Sequence, residues 1–434
     1  MSGWMLLLVA GLGLIAGAIA NHCAERWSEA PRGINPWLKS RAGSTPSSIG
    51  GKLPVLGWWL RRQELSAIAA GVWIRPLVVE VLTGALFVLL AWLPQDHSNF
   101  LAPLVRWGNE VAERGPWPVG TWLFPVNTTW HWAQFLAQAL LVTLMLIASL
   151  IDFDEKLIPD QITMPGTLLG LILAVAWPRT LPVGIATTVN GRAETAMLNL
   201  ATPNDWPRWL EGAPHALSLA LALSCFAAWC AALLPWYFRR GRAWRKSLAL
   251  TWSGMRRGGS PWAWLGFMAF HMALIGSIWS SGGEHWQALV SSLAGVVAGG
   301  GLIWTTRIVS GRVLEREALG FGDVTLMAMI GAYIGWQACV LVFFIAPLFA
   351  LVVALIQWLL RRETEIYYGP FLALATLWVV LRWPQWWDWA GPLFGIPWLV
   401  PCALMTCLAL LFVLLYAVRI IKETVLGWLG GGAE

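Results

Sequence analysis

Residues 324–360 read VTLMAMIGAYIGWQACVLVFFIAPLFALVVALIQWLL, 37 positions without one Asp, Glu, Lys or Arg. As a single helix this run would be about 55 Å long, far beyond the ~30 Å hydrocarbon core of a bilayer. Gly335-Trp336-Gln337 supplies a glycine and a polar side chain near its middle. The run therefore reads as two spans, 324–336 and 338–359. Outward from it, apolar runs of spanning length recur near 3–21, 77–94, 131–150, 163–178, 215–236, 261–281, 287–305, 370–388 and 395–418. Eleven spans make the chain an all-α polytopic membrane protein. The composition agrees: of 434 residues, 58% are hydrophobic and only 12% charged, about half the charge of a soluble domain. A disordered chain is excluded and an ordinary soluble enzyme is disfavoured. The first span has no basic stretch ahead of it and is followed by positive charge, so it reads as a retained helix rather than a cleaved signal.

With the N-terminus outside, segments 22–76, 151–162, 237–260, 306–323, 360–369 and 419–434 face the cytoplasm. Of 29 Lys and Arg, only Arg106, Arg114, Arg179, Arg192, Arg208 and Arg382 then lie outside. That asymmetry obeys the positive-inside rule, and the inverted topology violates it at every large basic loop. The net charge of +6 thus reflects loops held at an anionic leaflet and calls for no nucleic-acid partner. Loop 237–260, with Trp244 and Trp252 among its Arg residues, suits contact with membrane lipid better than single-stranded nucleic acid. The six cysteines (Cys23, Cys225, Cys230, Cys339, Cys402, Cys407) form no CxxC pair. They read as buried small side chains, with no metal site and no disulfide framework. His271, alone in an apolar span, reads as a packed or hydrogen-bonded histidine.

Carboxylates at the membrane boundary are the candidates for chemistry. Ser149-Leu150-Ile151-Asp152-Phe153-Asp154-Glu155-Lys156-Leu157-Ile158-Pro159-Asp160 places Asp152 at the cytoplasmic end of the third span, and Gly320-Phe321-Gly322-Asp323 places Asp323 at the start of the eighth. Two carboxylates on one face could share a proton, the ionised one activating water against a peptide carbonyl. Asp323 equally suits a helix cap and Asp152 a solvated boundary residue. Asp154 and Glu155 read as solvated or capping. Asp160, three residues before Thr163, reads as an N-cap. Glu80, within the second span, reads either as a site neighbour or as a structural hydrogen-bond acceptor.

These two stretches resemble the first aspartate motif and the GxGD motif of the type IV prepilin peptidases. Four further fragments resemble that family in order: Gly17-Ala18-Ile19-Ala20-Asn21, Leu53-Pro54-Val55-Leu56-Gly57-Trp58-Trp59-Leu60-Arg61, Arg75-Pro76-Leu77-Val78-Val79-Glu80 and Tyr368-Gly369-Pro370-Phe371. The resemblance implies an inner-membrane aspartic endopeptidase that removes the leader of prepilins or pseudopilins at the cytoplasmic face. It implies Asp152 and Asp323 as the catalytic pair, with Gly320, Gly322, Pro159 and Asp160 as motif support. Another GxGD-type membrane protease and a non-catalytic membrane scaffold remain as alternatives.

Three features depart from the family pattern. Segment 22–76 holds only Cys23, where many relatives carry a tetracysteine zinc cluster. No metal is expected, hydrolysis requires no cofactor, and methyl transfer from S-adenosylmethionine is not supported. Between the aspartates stand four spans where two are usual. The chain then divides into a first helix 1–21, a cytoplasmic loop 22–76, helices with the first aspartate motif 77–178, an inserted outer loop and hairpin 179–286, and helices with the GxGD motif 287–434. The hairpin adds two spans and keeps both aspartates on one side. Thr325 occupies a position where relatives often have Lys. Of the 33 Trp, several at proposed helix ends (Trp130, Trp132, Trp177, Trp383, Trp386, Trp387) read as an interfacial belt.

Overall fold

The computed structural model describes residues 3–28, 34, 50–66, 70–95, 100–105, 123–189, 192–234, 253, 261–315, 319–359 and 367–430. Its main helices are α1 (Gly3–Trp27), α2 (Ile74–Trp92), α3 (Thr128–Glu155), α4 (Asp160–Ala176), α5 (Ala216–Ala232), α6 (Pro261–Ser281), α7 (Gly283–Leu314), α8 (Phe321–Leu359), α9 (Tyr368–Leu381), α10 (Trp383–Phe394) and α11 (Leu399–Gly430). Among the described residues, seven helices are long and apolar enough to cross a membrane, and α4, α5 and α9 are shorter apolar helices. The protein is an all-α polytopic membrane protein in its architecture, with one small sheet at one end. Each expected span overlaps one of these helices, with 324–336 and 338–359 both falling in α8. Loop 237–260 lies almost entirely outside the described residues.

The break expected in residues 324–360 is real. Gly335 interrupts α8 with φ 75° and ψ 172°, a conformation open to glycine and costly for other residues. The polar side chain beside it has a use. Gln337 Nε2 donates to the carbonyls of Asn199 (2.7 Å) and Thr202 (3.2 Å), so the kink grips the segment between α4 and α5.

With no aqueous driving force between helices in lipid, tight packing depends on small residues. At the crossing of α7 and α8, a Cβ on Gly331 would stand 2.0 Å from the Gly295 carbonyl oxygen, and one on Gly295 would stand 2.1 Å from that of Gly331. Only glycine on both helices permits this approach. Helix α4 then packs on α8, where Tyr333 donates its hydroxyl to the Gly166 carbonyl at 3.0 Å.

The outer loop 179–214 contains structure beyond the expected coil. Strands β2 (Val183–Val189) and β3 (Arg192–Met197) form an antiparallel hairpin, and β1 (Phe124–Pro125) pairs with β3 to give the order β1-β3-β2. Buried indoles hold this sheet on the helices: Trp383 Nε1 donates to Val183 O and Trp387 Nε1 to Gly184 O, each at 2.7 Å. Trp286 and Trp336 similarly donate to Leu210 O and Leu200 O. The expected belt is thereby corrected for Trp383 and Trp387, which are interior fasteners, and Trp130 is also buried. Trp177, half exposed at the end of α4, keeps the position of a belt residue.

Two further expectations change. The span read as 370–388 ends at Leu381, because Arg382 leaves helical geometry (φ −115°, ψ 22°) and Pro384 starts α10, as suits a proline in a first helical turn. Of the cysteines only Cys230 and Cys339 are buried; Cys402 is exposed, and Cys23, Cys225 and Cys407 are intermediate. Apolar side chains facing lipid need no protein around them, so apolarity alone did not imply burial. His271 hydrogen-bonds the Phe267 carbonyl at 2.8 Å and stacks on Phe226, a packed histidine.

Candidate active site

Helix α3 leads from the sheet to the opposite end of the bundle. It begins with an Asn127 side-chain cap on Trp130 N and ends where Lys156 adopts φ 61° and donates its N–H to Asp152 O at 2.9 Å. Asp152 therefore sits in the last turn. The chain turns through Leu157 and Ile158, and Pro159 starts the next helix with φ −77° and ψ 139°. This corrects the N-cap reading of Asp160. Proline's fixed φ already provides the cap geometry, so Asp160 becomes the first helical residue and makes no capping bond.

Gly322 brings the second aspartate to this turn. A Cβ there would stand 2.7 Å from Ile158 Cβ and 3.1 Å from Ile158 N, so the backbone ahead of Asp323 rests directly on the 156–159 turn. Gly320 has no such constraint, since its Cβ would meet Asp323 Oδ2 at an ordinary 3.6 Å. Thr325 turns inward, its hydroxyl donating to Gly322 O at 3.1 Å.

Asp152 and Asp323, 6% and 7% exposed, line one cavity of ≈ 280 Å³ together with Lys156, Asp160, Phe321, Tyr367 and Tyr368. The structure thus joins positions 171 residues apart, and the charge of Asp152 acts on Asp323. Asp152 Oδ2 is buried and has no hydrogen-bond partner of normal geometry, although the Gly369 backbone lies against the carboxyl. A Cβ on Gly369 would come within 2.6 Å of that oxygen. Gly369, Tyr367, Tyr368 and Lys156 are site residues that the reading for chemistry passed over. The signal for Gly369 and Tyr368 was the Tyr-Gly-Pro-Phe fragment at the start of α9, and Lys156 stands within the Ser149–Asp160 stretch that carries Asp152.

The other carboxylates are engaged elsewhere. Asp154 pairs with Arg75 at 2.6 Å, and Arg75 also donates to Leu150 O. Glu155 accepts a hydrogen bond from Ser28. Neither lines the cavity with the two aspartates, and the expectation that they are merely solvated or capping gives way to a role tying α3 to α2 and α1. Glu80, 1% exposed, accepts from Val55 N (2.5 Å), Trp58 Nε1 (2.7 Å) and Asn21 Nδ2 (3.4 Å). It is a structural acceptor that clamps the first loop onto α1 and α2. Among the described residues no three His, Cys, Asp or Glu side chains converge as a metal-ligand set. Cys23, the single cysteine of 22–76, belongs to α1.

Residues 139–198 and 261–355 match the model of the Type IV leader peptidase family. The two segments leave 199–260 unmatched between them, and both extend into the region 179–286 read above as inserted. The prepilin leader peptidase/N-methyltransferase of Pseudomonas aeruginosa is 32% identical over 126 residues, 28% of this chain and 39% of that protein. That of Escherichia coli is 37% identical over 91 residues, 20% of this chain and 40% of that protein. That of Pectobacterium carotovorum is 39% identical over 91 residues, 20% and 31% of the two chains. The matches thus span well under half the length of these curated relatives. No solved structure matches the chain.

Proposed function

Over its matched segments the chain belongs to the type IV leader peptidase family, and from that premise we propose that it is an intramembrane aspartic endopeptidase acting on prepilins or pseudopilins at the cytoplasmic face of the inner membrane. The observation that carries the reading is the shared cavity of Asp152 and Asp323, both buried, with one carboxylate oxygen unpartnered.

The chemistry follows from two acids that line one cavity and act on each other's charge. Coupled like charges oppose simultaneous ionisation, so the pair holds one proton between its carboxyls and titrates as a unit. The ionised carboxylate takes a proton from water as its oxygen attacks the scissile carbonyl carbon. The protonated carboxyl gives its proton to the carbonyl oxygen. Collapse of the tetrahedral gem-diol breaks the C–N bond as a carboxyl proton passes to the departing amine and one gem-diol O–H proton returns to the other carboxylate. Water is consumed, the pair regains its single proton, and no side chain becomes covalently attached. Methyl transfer is no part of the proposal.

Replacing Asp152 or Asp323 with Asn leaves the size of the side chain and removes the exchangeable proton. Each variant should insert into membranes at the wild-type level and cut a synthetic prepilin at least about 10³-fold more slowly, in line with the contribution of positioned acid–base groups. Mass spectrometry of the products is the readout. Wild-type cleavage rates in both variants would remove the aspartates from the reaction.

A further inference from the structure

Attack of water on a peptide carbonyl builds negative charge on its oxygen while the carboxyl proton is still in transit, and a fixed neutral donor beside that oxygen lowers the barrier. Among the side chains that line the cavity, the neutral O–H donors are the phenols of Tyr367 and Tyr368. Their surroundings differ. The Tyr367 ring packs edge-on against Phe153 at 6.0 Å and carries the Lys156 ammonium at 5.9 Å, which makes it a platform for the end of α3. The Tyr368 ring is partly buried against the apolar core, and its hydroxyl makes no hydrogen bond among the described residues. A packed phenol usually finds a partner for its O–H, as Tyr333 does in Gly166 O at 3.0 Å. At Tyr368 the space beside the ring is the cavity itself.

Two links tie Tyr368 to the acids. Its neighbour Gly369 lies so close to Asp152 that a Cβ there would stand 2.6 Å from Oδ2, and the charge of Asp323 reaches the Tyr368 hydroxyl. Burial and that charge both hold the proton on the phenol, so it remains a donor at neutral pH. Tyr368 is also the first residue of α9, and Tyr367 ahead of it offers no side-chain cap, so the positive end of the helix dipole lies at the same place. Resting on the peptidase reading above, we propose that Tyr368 is a third catalytic residue, its hydroxyl donating a hydrogen bond to the oxygen of the scissile carbonyl. The bond strengthens as charge gathers on that oxygen and persists to the gem-diol. The phenol keeps its proton throughout, so the exchange of protons among water, the two carboxyls and the departing amine is unaltered. A packing role explains the burial of the ring but gives the hydroxyl no use. The two roles separate in Tyr368→Phe, which keeps the ring and removes only the oxygen.

The test uses binding as well as cleavage, on the full-length protein in lipid nanodiscs. With a synthetic prepilin and mass spectrometry as the readout, Tyr368→Phe should lower kcat about 10²-fold and leave KM within about twofold, the signature of a bond made in the transition state. A peptide difluoroketone, whose hydrate reproduces the gem-diol, should inhibit the variant about 10- to 100-fold less tightly than the wild type. The uncleaved prepilin should bind the Asp152→Asn/Asp323→Asn protein equally well, within about twofold, with or without Tyr368→Phe, because the ground state does not depend on the donor. Wild-type kcat in Tyr368→Phe, or an equal loss of prepilin and difluoroketone affinity, overturns the assignment, and cleavage by the wild type in the same experiment leaves the peptidase reading standing. No cleavage by the wild type, with the difluoroketone unbound, removes the peptidase reading and the role of Tyr368 with it.

Discussion

Gly369→Ala should disable the site without unfolding the protein. The added methyl would lie 2.6 Å from Asp152 Oδ2 and 2.9 Å from Ile158 Cδ1. An ordinary C···O contact is near ~3.3 Å, so the carboxylate oxygen must retreat by about 0.7 Å. Both clashing atoms are side-chain ends, and they yield before the backbone does. Overpacking costs about 1–3 kcal/mol, and replacing glycine by alanine in a helix returns about 0.5–1 kcal/mol, so net destabilisation is small. The consequence for chemistry is large, because misplacing a reacting group by about 1 Å costs roughly 10²-fold. Cleavage of a synthetic prepilin, followed by mass spectrometry in detergent, should fall about 30- to 100-fold, or roughly 2–3 kcal/mol of barrier. Thermal unfolding should shift by only a few degrees. Gly320→Ala is the matched control: its Cβ would meet Asp323 Oδ2 at 3.6 Å, and activity should remain within a few-fold. Wild-type cleavage in Gly369→Ala, or a loss in Gly320→Ala as large as in Gly369→Ala, would refute the reasoning that Asp152 is positioned by this contact.

Three perturbations address the scaffold. Gly331→Ala puts a methyl 2.0 Å from the Gly295 carbonyl oxygen, a backbone clash with no flexible end to yield; it should cost at least about 3 kcal/mol, read as a lowered Tm in detergent. Glu80→Ala strands the Trp58 indole N–H and the Val55 amide, with a cost of about 2–4 kcal/mol for buried donors that lose a charged acceptor. Limited proteolysis should then cut within 50–60 first, and unchanged protection there would refute the clamp. Trp387→Phe keeps an aromatic ring, smaller than the indole, and removes the donor to Gly184 O. It should lower stability by about 1–3 kcal/mol while leaving the peptide cleavage rate of the folded fraction unaltered, since the sheet and the aspartates lie at opposite ends of α3.

The parts that were legible in the sequence are those for which a local property suffices. A bilayer requires long apolar helices, so the spans can be read from the sequence, and the helical break falls at Gly335, one of two glycines in the run and a residue type that tolerates its φ. The pairing of Asp152 with Asp323 was accessible only as sidedness, through the even number of intervening spans. What brings them together is contact between distant segments: Gly322 on Ile158, and Gly369 on Asp152. A glycine shows where a side chain is missing and is silent about what fills the space. The same holds for Trp383 and Trp387, whose positions at a proposed helix end suited an interfacial belt until strand β2 supplied acceptors from 200 residues away.

The recurring fragments gain a physical division of labour from this arrangement. Asn21, the Val55 to Trp58 stretch and Glu80 meet each other rather than the cavity of Asp152 and Asp323, and form a buried buckle around one carboxylate. Arg75, Asp154 and Leu150 carry that buckle to the last turns of α3, where Asp152 stands. The route is continuous in contacts: Glu80 lies on the same helix as Arg75, which grips α3 at residues 150 and 154, on either side of Asp152. A loop without zinc-binding cysteines can therefore still be held against the membrane helices that orient one of the two acids. Hydrogen bonds to Glu80 thus fix the described part of the first loop against α1 and α2.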